Sequence, residues 1–502
     1  MIDDSPDTYG QILKSTSIIG VSQATIILMK IIQAKLLAYF AGPAGIALFG
    51  LFNSITSTAG MFAGMGITNS GVRQIAEAAA SGDQVRITKS IVALRRLVPC
   101  LGLLGAAVVF LFRRQICSLT FGHIAYSGSI ALLSPVVFLS VVAGGQGALI
   151  QGMRRIADIA KVTIFAALGG AIVSLPMLYF WRERGVAPVI VAVACLTILS
   201  SWWHARKIYV ARIPICLREF LTEARGLLRL GIVFMSTGVI TIGAAYLVRM
   251  LITRKLGLHA TGLYEASFSL SNVYMSYILG AMGADFYPRL TGVSTQNTIA
   301  ARIVNEQIEV GLLLTVPGLL ALLALAPFIL RLLYSPEFVS AYDTLRWQML
   351  GTFLRVITWP LGFIQLAKGS CKIYLLTELT SNSILMIFIW YGISYFGLPG
   401  AGMAFFGLYL FHFLLTYFFA KHLIDFKWSR SNARLIAVLA AVIPTVFLAQ
   451  TALPTMFSAG LNWAATFAMG AYSIKTLHEL VGSEKIRAFA RKIVHINLFF
   501  KA

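Results

Sequence analysis

The sequence predicts an all-α, polytopic membrane protein, and two observations support this prediction. Of the 502 residues, 58% are hydrophobic and only 12% are charged, and the mean hydropathy is +0.81. A soluble domain carries about 25% charged residues, so half that fraction leaves too little polar surface for a body exposed to water. The apolar residues also form runs of about 20 or more, which is the length a helix needs to cross roughly 30 Å of hydrocarbon. A helix satisfies its own backbone hydrogen bonds there.

The apolar runs define about 14 candidate spans, which form two blocks of six helices and an additional pair. The predicted spans are 14–40, 44–69, 91–112, 127–151, 160–181, 186–204, 229–250, 262–287, 306–333, 345–367, 373–396, 399–421, 435–455 and 459–477. The predicted regions are an N-terminal lobe (1–203), a cytoplasmic linker (204–228), a C-terminal lobe (229–425), an extra transmembrane pair (426–477) and a basic amphipathic tail (478–502). We expect the first span to be retained, because the N-terminal segment lacks the basic region of a signal peptide.

The two blocks begin alike. A Lys-Leu pair starts at Lys35 in the first block and at Lys255 in the second, and a glycine turn follows at Gly45 and at Gly262. Six-helix repeats of this kind are typical of transporters.

The net charge of +22 is explained by membrane orientation rather than by binding of nucleic acid. Lys and Arg residues lie in the short loops, about 29 on one side of the predicted membrane against about 9 on the other. The positive-inside rule then predicts that both termini are cytoplasmic. In the tail, Ile486, Phe489 and Ile493 alternate with basic residues, which favours an interfacial helix on anionic inner-leaflet lipids over a solvated tail.

The sequence contains no catalytic signature. It lacks phosphate-binding, zinc-protease and nucleophile-elbow motifs, and its five cysteines have no paired spacing. His412 and His422 have no carboxylate or cysteine companions at ligand spacing, so we expect no metal and no cofactor. The protein is therefore expected not to be an enzyme, and an ion gradient is the expected energy source.

Basic and polar residues near the middle of span one are candidates for substrate binding. Gln23 and Lys30 share a helix face, and a charge at this depth costs at least about 2.5–3.5 kcal/mol unless it faces a cavity or a partner. For Lys30 a cavity-lining role is favoured over an incidental ion pair. Lys35 lies nearer the outer end, where its side chain can simply reach the interface.

Span ten contains a second basic candidate, Arg355. Gln348, Thr352, Arg355 and Trp359 lie on one face, and a guanidinium suits phosphate oxygens. The alternative is a structural role, in which Arg355 pairs with Glu378 or with a carbonyl at a helix end.

Spans seven and eight contain the acidic candidates. Glu265 and Asn272 share a face of span eight, Asp285 follows further along, and Arg249 lies near the end of span seven. Glu265 is expected either to balance Arg249 or Lys35 or to act as a protonatable coupling site, and the sequence does not separate these roles. Asp285 and Glu378 are predicted to serve coupling or charge balance in the same way.

Several stretches between residues 11 and 425 resemble the Wzx-type, polysaccharide branch of the multidrug/oligosaccharidyl-lipid/polysaccharide (MOP) exporters. The similar stretches are Trp-Gln-Met-Leu-Gly at 347–351, Ala-Lys-Gly-Ser at 367–370 with Tyr374 and Glu378, the turn from Lys35 to Gly45, Gly-Leu-Tyr at 262–264, and Pro288–Leu290. The resemblance implies two six-helix lobes around a central cavity that opens alternately to each side. It also implies translocation of an undecaprenyl-pyrophosphate-linked oligosaccharide to the outer leaflet. Arg355 and Lys35 lie at positions where the family also has a basic residue, whereas Lys30 has no clear counterpart in the family. A polysaccharide polymerase and chain-length proteins are possible partners.

Three other functions were weighed. A cationic-drug antiporter of the same fold would need acidic cavity residues, whereas Lys30 and Arg355 are basic. A membrane-embedded glycan polymerase or transferase would need a large outer loop or an acidic catalytic pair, and the predicted outer loops are short. A scaffold without transport activity would not need charges in the middle of the membrane.

Overall fold

A computed structural model describes residues 6–210, 216–452 and 455–481, and this part of the chain forms 14 α-helices and no strand. The first seven helices are α1 (Pro6–Gly64), α2 (Ile67–Ser81), α3 (Gln84–Leu111), α4 (Arg113–Phe121), α5 (Ser127–Gly152), α6 (Ile156–Trp181) and α7 (Val186–Ala205). The remaining helices are α8 (Leu217–Gly292), α9 (Asn297–Leu333), α10 (Tyr342–Ala367), α11 (Cys371–Phe396), α12 (Leu398–Ile424), α13 (Arg430–Ala452) and α14 (Thr455–Val481). Two short 3₁₀ helices, Arg182–Gly185 and Pro336–Ala341, precede α7 and α10. The predicted all-α polytopic fold is confirmed.

Two glycines break the longest helices. Gly42 in α1 has φ 61° and ψ −164°, and Gly257 in α8 has φ 85° and ψ 174°. Residues with a Cβ rarely adopt this conformation, so a glycine is needed at each break. The breaks separate predicted spans one and two, and predicted spans seven and eight. Each block therefore begins with a long helix that bends at a glycine. The bends lie at Gly42 and Gly257 rather than at the predicted Gly45 and Gly262, which are helical.

Nine helical stretches in the described residues are long and apolar enough to cross a bilayer, and one more qualifies if the bent pair Arg218–Ser236 and Gly238–Asn272 is taken as one span. Each of the 14 predicted spans coincides with a helix or with one arm of a broken helix. The number of crossings itself stays a prediction.

The chain divides into two compact units. The first contains Met1–Glu265 with Arg331–Phe338, and the second contains Ala266–Leu330 with Val339–Ala502. The boundary falls within α8, after the predicted linker at 204–228. The predicted limits of the lobes stay a prediction.

Within the first unit, α2, α3 and α5 share a buried apolar core. Ile75, Ile91 and Leu149 are almost completely shielded there. Asp83 fixes the start of α3, because its carboxylate accepts hydrogen bonds from the backbone N–H groups of Val85 (2.8 Å) and Arg86 (3.2 Å). The result is a rigid base for the polar residues of this unit.

The bends of α1 and α8 pack against each other, also within the first unit. A Cβ added to Gly262 would lie 1.9 Å from the carbonyl oxygen of Pro43. Only a glycine allows the two backbones to approach this closely.

The second unit includes the extra helix pair, which is attached through polar side chains. The Nδ2 of Asn432 in α13 donates hydrogen bonds to the backbone oxygen (2.8 Å) and the Oδ1 (3.0 Å) of Asn305 in α9. Arg346 in α10, whose side chain is 5% exposed, donates to the backbone oxygen of Phe447 in α13 at 2.6 Å. These contacts tie α13 to the helices that precede it.

Candidate functional site

The basic candidate of the second unit, Arg355, lies beside neutral polar groups. Its Nη1 donates a hydrogen bond of 2.7 Å to Oδ1 of Asn272, and its Cζ lies 5.8 Å from the centre of the Tyr409 ring. Among the described residues, no carboxylate lies within ion-pair distance of this guanidinium. Within the described residues its positive charge is therefore oriented but not neutralised, which is the state expected of a group that receives an anion.

One of the alternatives for Arg355 was an ion pair with Glu378. The half-buried Glu378 in α11 does not pair with Arg355, and in the described part of the chain its carboxylate makes no hydrogen bond or ion pair. Asn272, predicted independently from span eight, is the partner instead. The structure therefore brings Arg355 and Asn272 together.

Gln348 lies on the same face of α10 as Arg355, two turns earlier. Its side chain is fully buried, and neither Oε1 nor Nε2 has a hydrogen-bond partner among the described residues. A buried amide without partners costs free energy comparable to a lost hydrogen bond or more.

Sequence reasoning missed two residues of this region. Tyr409 lies against Arg355, and Ser381 shares a hydrogen bond of 2.9 Å with Nδ1 of His412. The rings of Tyr409 and His412 are 6.2 Å apart and nearly perpendicular. For Tyr409 a signal was available in the sequence. It lies three residues before His412 on α12, so the two side chains share one face of the helix.

In the first unit, Arg249 and Glu265 form a bidentate ion pair. The Nε of Arg249 donates to Oε1 of Glu265, its Nη2 donates to Oε2 at 3.2 Å, and its Nη1 donates to the backbone oxygen of Ala245 at 3.0 Å. Both side chains are largely buried, 15% and 13% exposed. Of the roles considered for Glu265, the structure shows the balance of Arg249. Gly50 leaves the space for this pair, since a Cβ there would lie 2.7 Å from Cδ of Glu265.

The two lysines of α1 differ. Lys35 donates hydrogen bonds of 2.8 Å to the backbone oxygens of Leu332 and Tyr334, and so satisfies carbonyls at the end of α9. Lys30 is exposed on the surface of α1 and makes no hydrogen bond or ion pair with any described residue. The structure thus places Lys35 in a structural contact and leaves Lys30 available.

The first unit contains a cavity of about 400 Å³. Its polar lining is uncharged and comes from Gln33, Asn53, Thr56, Ser57, Thr68, Asn69, Ser140 and Thr197. The amide of Gln33 donates a hydrogen bond of 3.2 Å to Ser174, which fixes its orientation. Amide and hydroxyl groups without charge are suited to binding sugar hydroxyls.

Several predicted residues lie outside what is described. The side chains of Gln23 and Asp285 and the tail from residue 482 onward belong to this group. In the described residues, no three His, Cys, Asp or Glu side chains are grouped as ligands for a metal ion.

The fold is that of a multi-pass, α-helical membrane protein. A family model described as polysaccharide biosynthesis protein matches residues 12–293, more than half of the chain, and the chain belongs to this family. The predicted family is therefore confirmed. The chain is 24% identical over 391 residues to the lipid III flippase of Escherichia coli (strain K12), a match that covers 77% of this chain and 92% of the relative. The lipid III flippase of Shigella flexneri matches with the same identity and coverage.

Solved structures share the fold. An inward-facing multidrug resistance MATE family transporter of the MOP superfamily matches with a TM-score of 0.65 at 15% identity, over 79% of this chain and 95% of its own. The lipid II flippase MurJ in its inward closed conformation matches with a TM-score of 0.65 at 13% identity, over 93% of this chain and 99% of its own. Residues 1–425 make up about 85% of the 502 residues. The match to MurJ therefore extends beyond residue 425.

Proposed function

We propose that the protein is a flippase that moves an undecaprenyl-pyrophosphate-linked oligosaccharide from the cytoplasmic to the outer leaflet of the bacterial inner membrane. Membership of the polysaccharide biosynthesis family and the similarity to proteins named lipid III flippase support this proposal. Alternating access, coupled to an ion gradient, is the proposed mechanism, and both termini are proposed to be cytoplasmic. The product would serve assembly of an O-antigen, common antigen or capsule-type polysaccharide.

The observation that most supports an anionic substrate is the state of Arg355. Its guanidinium is held by the neutral Asn272 and lies over Tyr409, and no described carboxylate neutralises it. A pyrophosphate offers paired oxygens that match the planar fork of a guanidinium. We propose that Arg355 binds this group, with Asn272 fixing its orientation. Lys30, which is exposed and without a described partner, is proposed as a second basic contact.

Neutral polar groups suit the other part of the substrate. The cavity of the first unit is lined by amides and hydroxyls and by no charged residue. The buried amide of Gln348 in the second unit has no described partner. We propose that such groups exchange hydrogen bonds with sugar hydroxyls during translocation, at little net cost because water is replaced by partners of similar strength.

A MATE-like antiporter of small cations is the second candidate, because a MATE transporter shares the fold. The carboxylate of Glu378 is half-buried and makes no described ion pair, and such a group would suit a cation or a proton. The basic charge of Arg355 argues against this candidate. An integral-membrane glycan polymerase or transferase is less favoured than either transporter.

The proposal is tested by flipping of a fluorescent polyprenyl-pyrophosphate oligosaccharide in proteoliposomes, together with rescue of a flippase-null strain. Arg355→Gln should lower the flipping rate about tenfold to a hundredfold, because a hydrogen bond to a charged group is worth about 1.5–3 kcal/mol. Arg355→Lys should retain part of the activity, since it keeps the charge but loses the fork.

Arg302→Gln is the matched control, because Arg302 is an exposed arginine whose nearest carboxylate, on Glu306, is 3.8 Å away. The control should flip at the wild-type rate. If Arg355→Gln, correctly inserted, also flips at the wild-type rate, the pyrophosphate contact is wrong. If the wild-type protein exports a cationic dye but flips no lipid-linked sugar, the antiporter is the better description.

A further inference from the structure

A second cavity in the first unit lies where α3, α5 and α7 meet the linker. Its volume is about 660 Å³, within the range of sites that bind small molecules. One part of the wall is apolar and includes Leu94, Val98 and Leu149. The other part contains Arg95 and Arg206. The cavity thus combines an apolar wall with two cations.

Arg206 is positioned by two indole rings. Its Cζ lies 3.5 Å from the centre of the Trp203 ring and 4.8 Å from that of the Trp202 ring. Stacking uses the faces of the guanidinium, so its N–H edge stays available for an acceptor. Trp and Arg at the end of an apolar helix are typical of the interface between the membrane and water. The cavity therefore lies at the level of lipid headgroups.

The nearby acidic residues are already engaged by other partners. Glu219 pairs with Lys89 at 2.7 Å, Glu223 accepts a hydrogen bond from Ser90 at 3.2 Å and another from Gln74, and Asp158 pairs with Arg155 at 2.9 Å.

In the described part of the chain, neither Arg95 nor Arg206 makes a hydrogen bond or an ion pair, and no acidic residue lines the cavity. Residues 211–215, which follow in the linker, contain no acidic residue either. An anion from outside the described part of the chain is thus the natural partner of the two arginines.

We propose that this cavity binds the phosphate headgroup of an anionic glycerophospholipid, with Arg95 and Arg206 on the phosphate and the apolar wall along the first acyl methylenes. A free phosphate would leave the apolar wall unused. A zwitterionic lipid would bring an ammonium group, for which the cavity offers no carboxylate. The site is separate from Arg355 and does not depend on which substrate the protein transports.

The test is native mass spectrometry of the full-length protein in detergent with equal amounts of phosphatidylglycerol and phosphatidylethanolamine of the same acyl chains. The wild-type protein should retain phosphatidylglycerol in preference. Arg95→Gln/Arg206→Gln should weaken its binding about thirtyfold, roughly fivefold to sixfold for each arginine. The matched control is Arg113→Gln/Arg114→Gln, which removes the same charge. It likewise includes an arginine stacked on an aromatic ring, since Cζ of Arg113 lies 4.5 Å from the centre of the Phe110 ring.

The control should bind phosphatidylglycerol as the wild type does. Trp203→Leu, which keeps both charges, should weaken binding a few-fold and provides a test if the double variant unfolds. Equal retention of both lipids, or unchanged binding in the Arg95→Gln/Arg206→Gln variant, would overturn the proposal. So would displacement of the lipid by millimolar inorganic phosphate, which would indicate a site for free phosphate. Displacement by an equimolar amount of undecaprenyl pyrophosphate would instead assign the cavity to a polyprenyl carrier.

Discussion

Neutralising one partner of the Arg249–Glu265 pair should destabilise the protein more than neutralising both. Both side chains are largely buried, and the carboxylate accepts from both Nε and Nη2 of the guanidinium. Removal of one partner from a buried pair costs about 3–5 kcal/mol, because it leaves an uncompensated charge. The exposed fractions of 15% and 13% place the expected loss near the lower end, about 3 kcal/mol for Arg249→Gln and for Glu265→Gln. The double variant leaves no charge and should lose about 1 kcal/mol or less.

The measurement is equilibrium unfolding of the purified variants in mixed micelles, followed by tryptophan fluorescence. A double-mutant cycle isolates the coupling between the two side chains. If the stability losses of the two single variants add up in the double variant, Arg249 and Glu265 are not energetically coupled and the reasoning is wrong. Transport by the double variant tests the other role considered for Glu265. A purely structural pair predicts that flipping continues, whereas a protonatable coupling site predicts that gradient-driven flipping stops.

Two further predictions concern packing. Gly262→Ala should lower the thermal stability and the yield of folded protein strongly, because its Cβ would lie 1.9 Å from the carbonyl oxygen of Pro43. Gly60→Ala is the control and should be tolerated, because no atom lies within 4 Å of its Cβ. Equal melting temperatures for the two variants would contradict this reasoning. Asn432→Ala should cost about 1–3 kcal/mol, because the backbone oxygen of Asn305 then loses a buried donor, whereas its Oδ1 still accepts from the N–H of Ser429 at 2.9 Å. Retention of the wild-type unfolding free energy would show that the hydrogen bonds of Asn432 do not stabilise the contact between α9 and α13.

The helices were predictable because their signal is local. Apolar runs of sufficient length lie in the sequence itself, and each predicted span coincides with a helix or with an arm of a broken helix. The breaks were less accessible. Gly42 and Gly257 are two of 43 glycines, and only the fold shows that these two need a positive φ. The turns were predicted at Gly45 and Gly262, three and five residues after the observed breaks.

The partners of the candidate residues were harder to predict, because they depend on distant contacts. Lys35 was expected to reach the interface, yet its ammonium group satisfies backbone carbonyls about 300 positions away, where no side chain marks the site. Cavities are equally hard to predict from the sequence. Arg95 and Arg206, which we propose to bind a lipid phosphate, were predicted only to set the orientation in the membrane, since a cavity between α3, α5 and α7 leaves no pattern along the chain.

Arg249 and Arg355 illustrate this limit most directly. Each is an arginine within an apolar span, and the cost of burial demands a partner for each. A carboxylate neutralises Arg249, whereas an amide only orients Arg355. An amide supplies one acceptor and no charge, so the guanidinium keeps most of its donors and its full positive charge. The same residue type is thus neutralised in the first unit, whereas in the second unit the described residues only orient it, as our proposal of an anionic substrate requires.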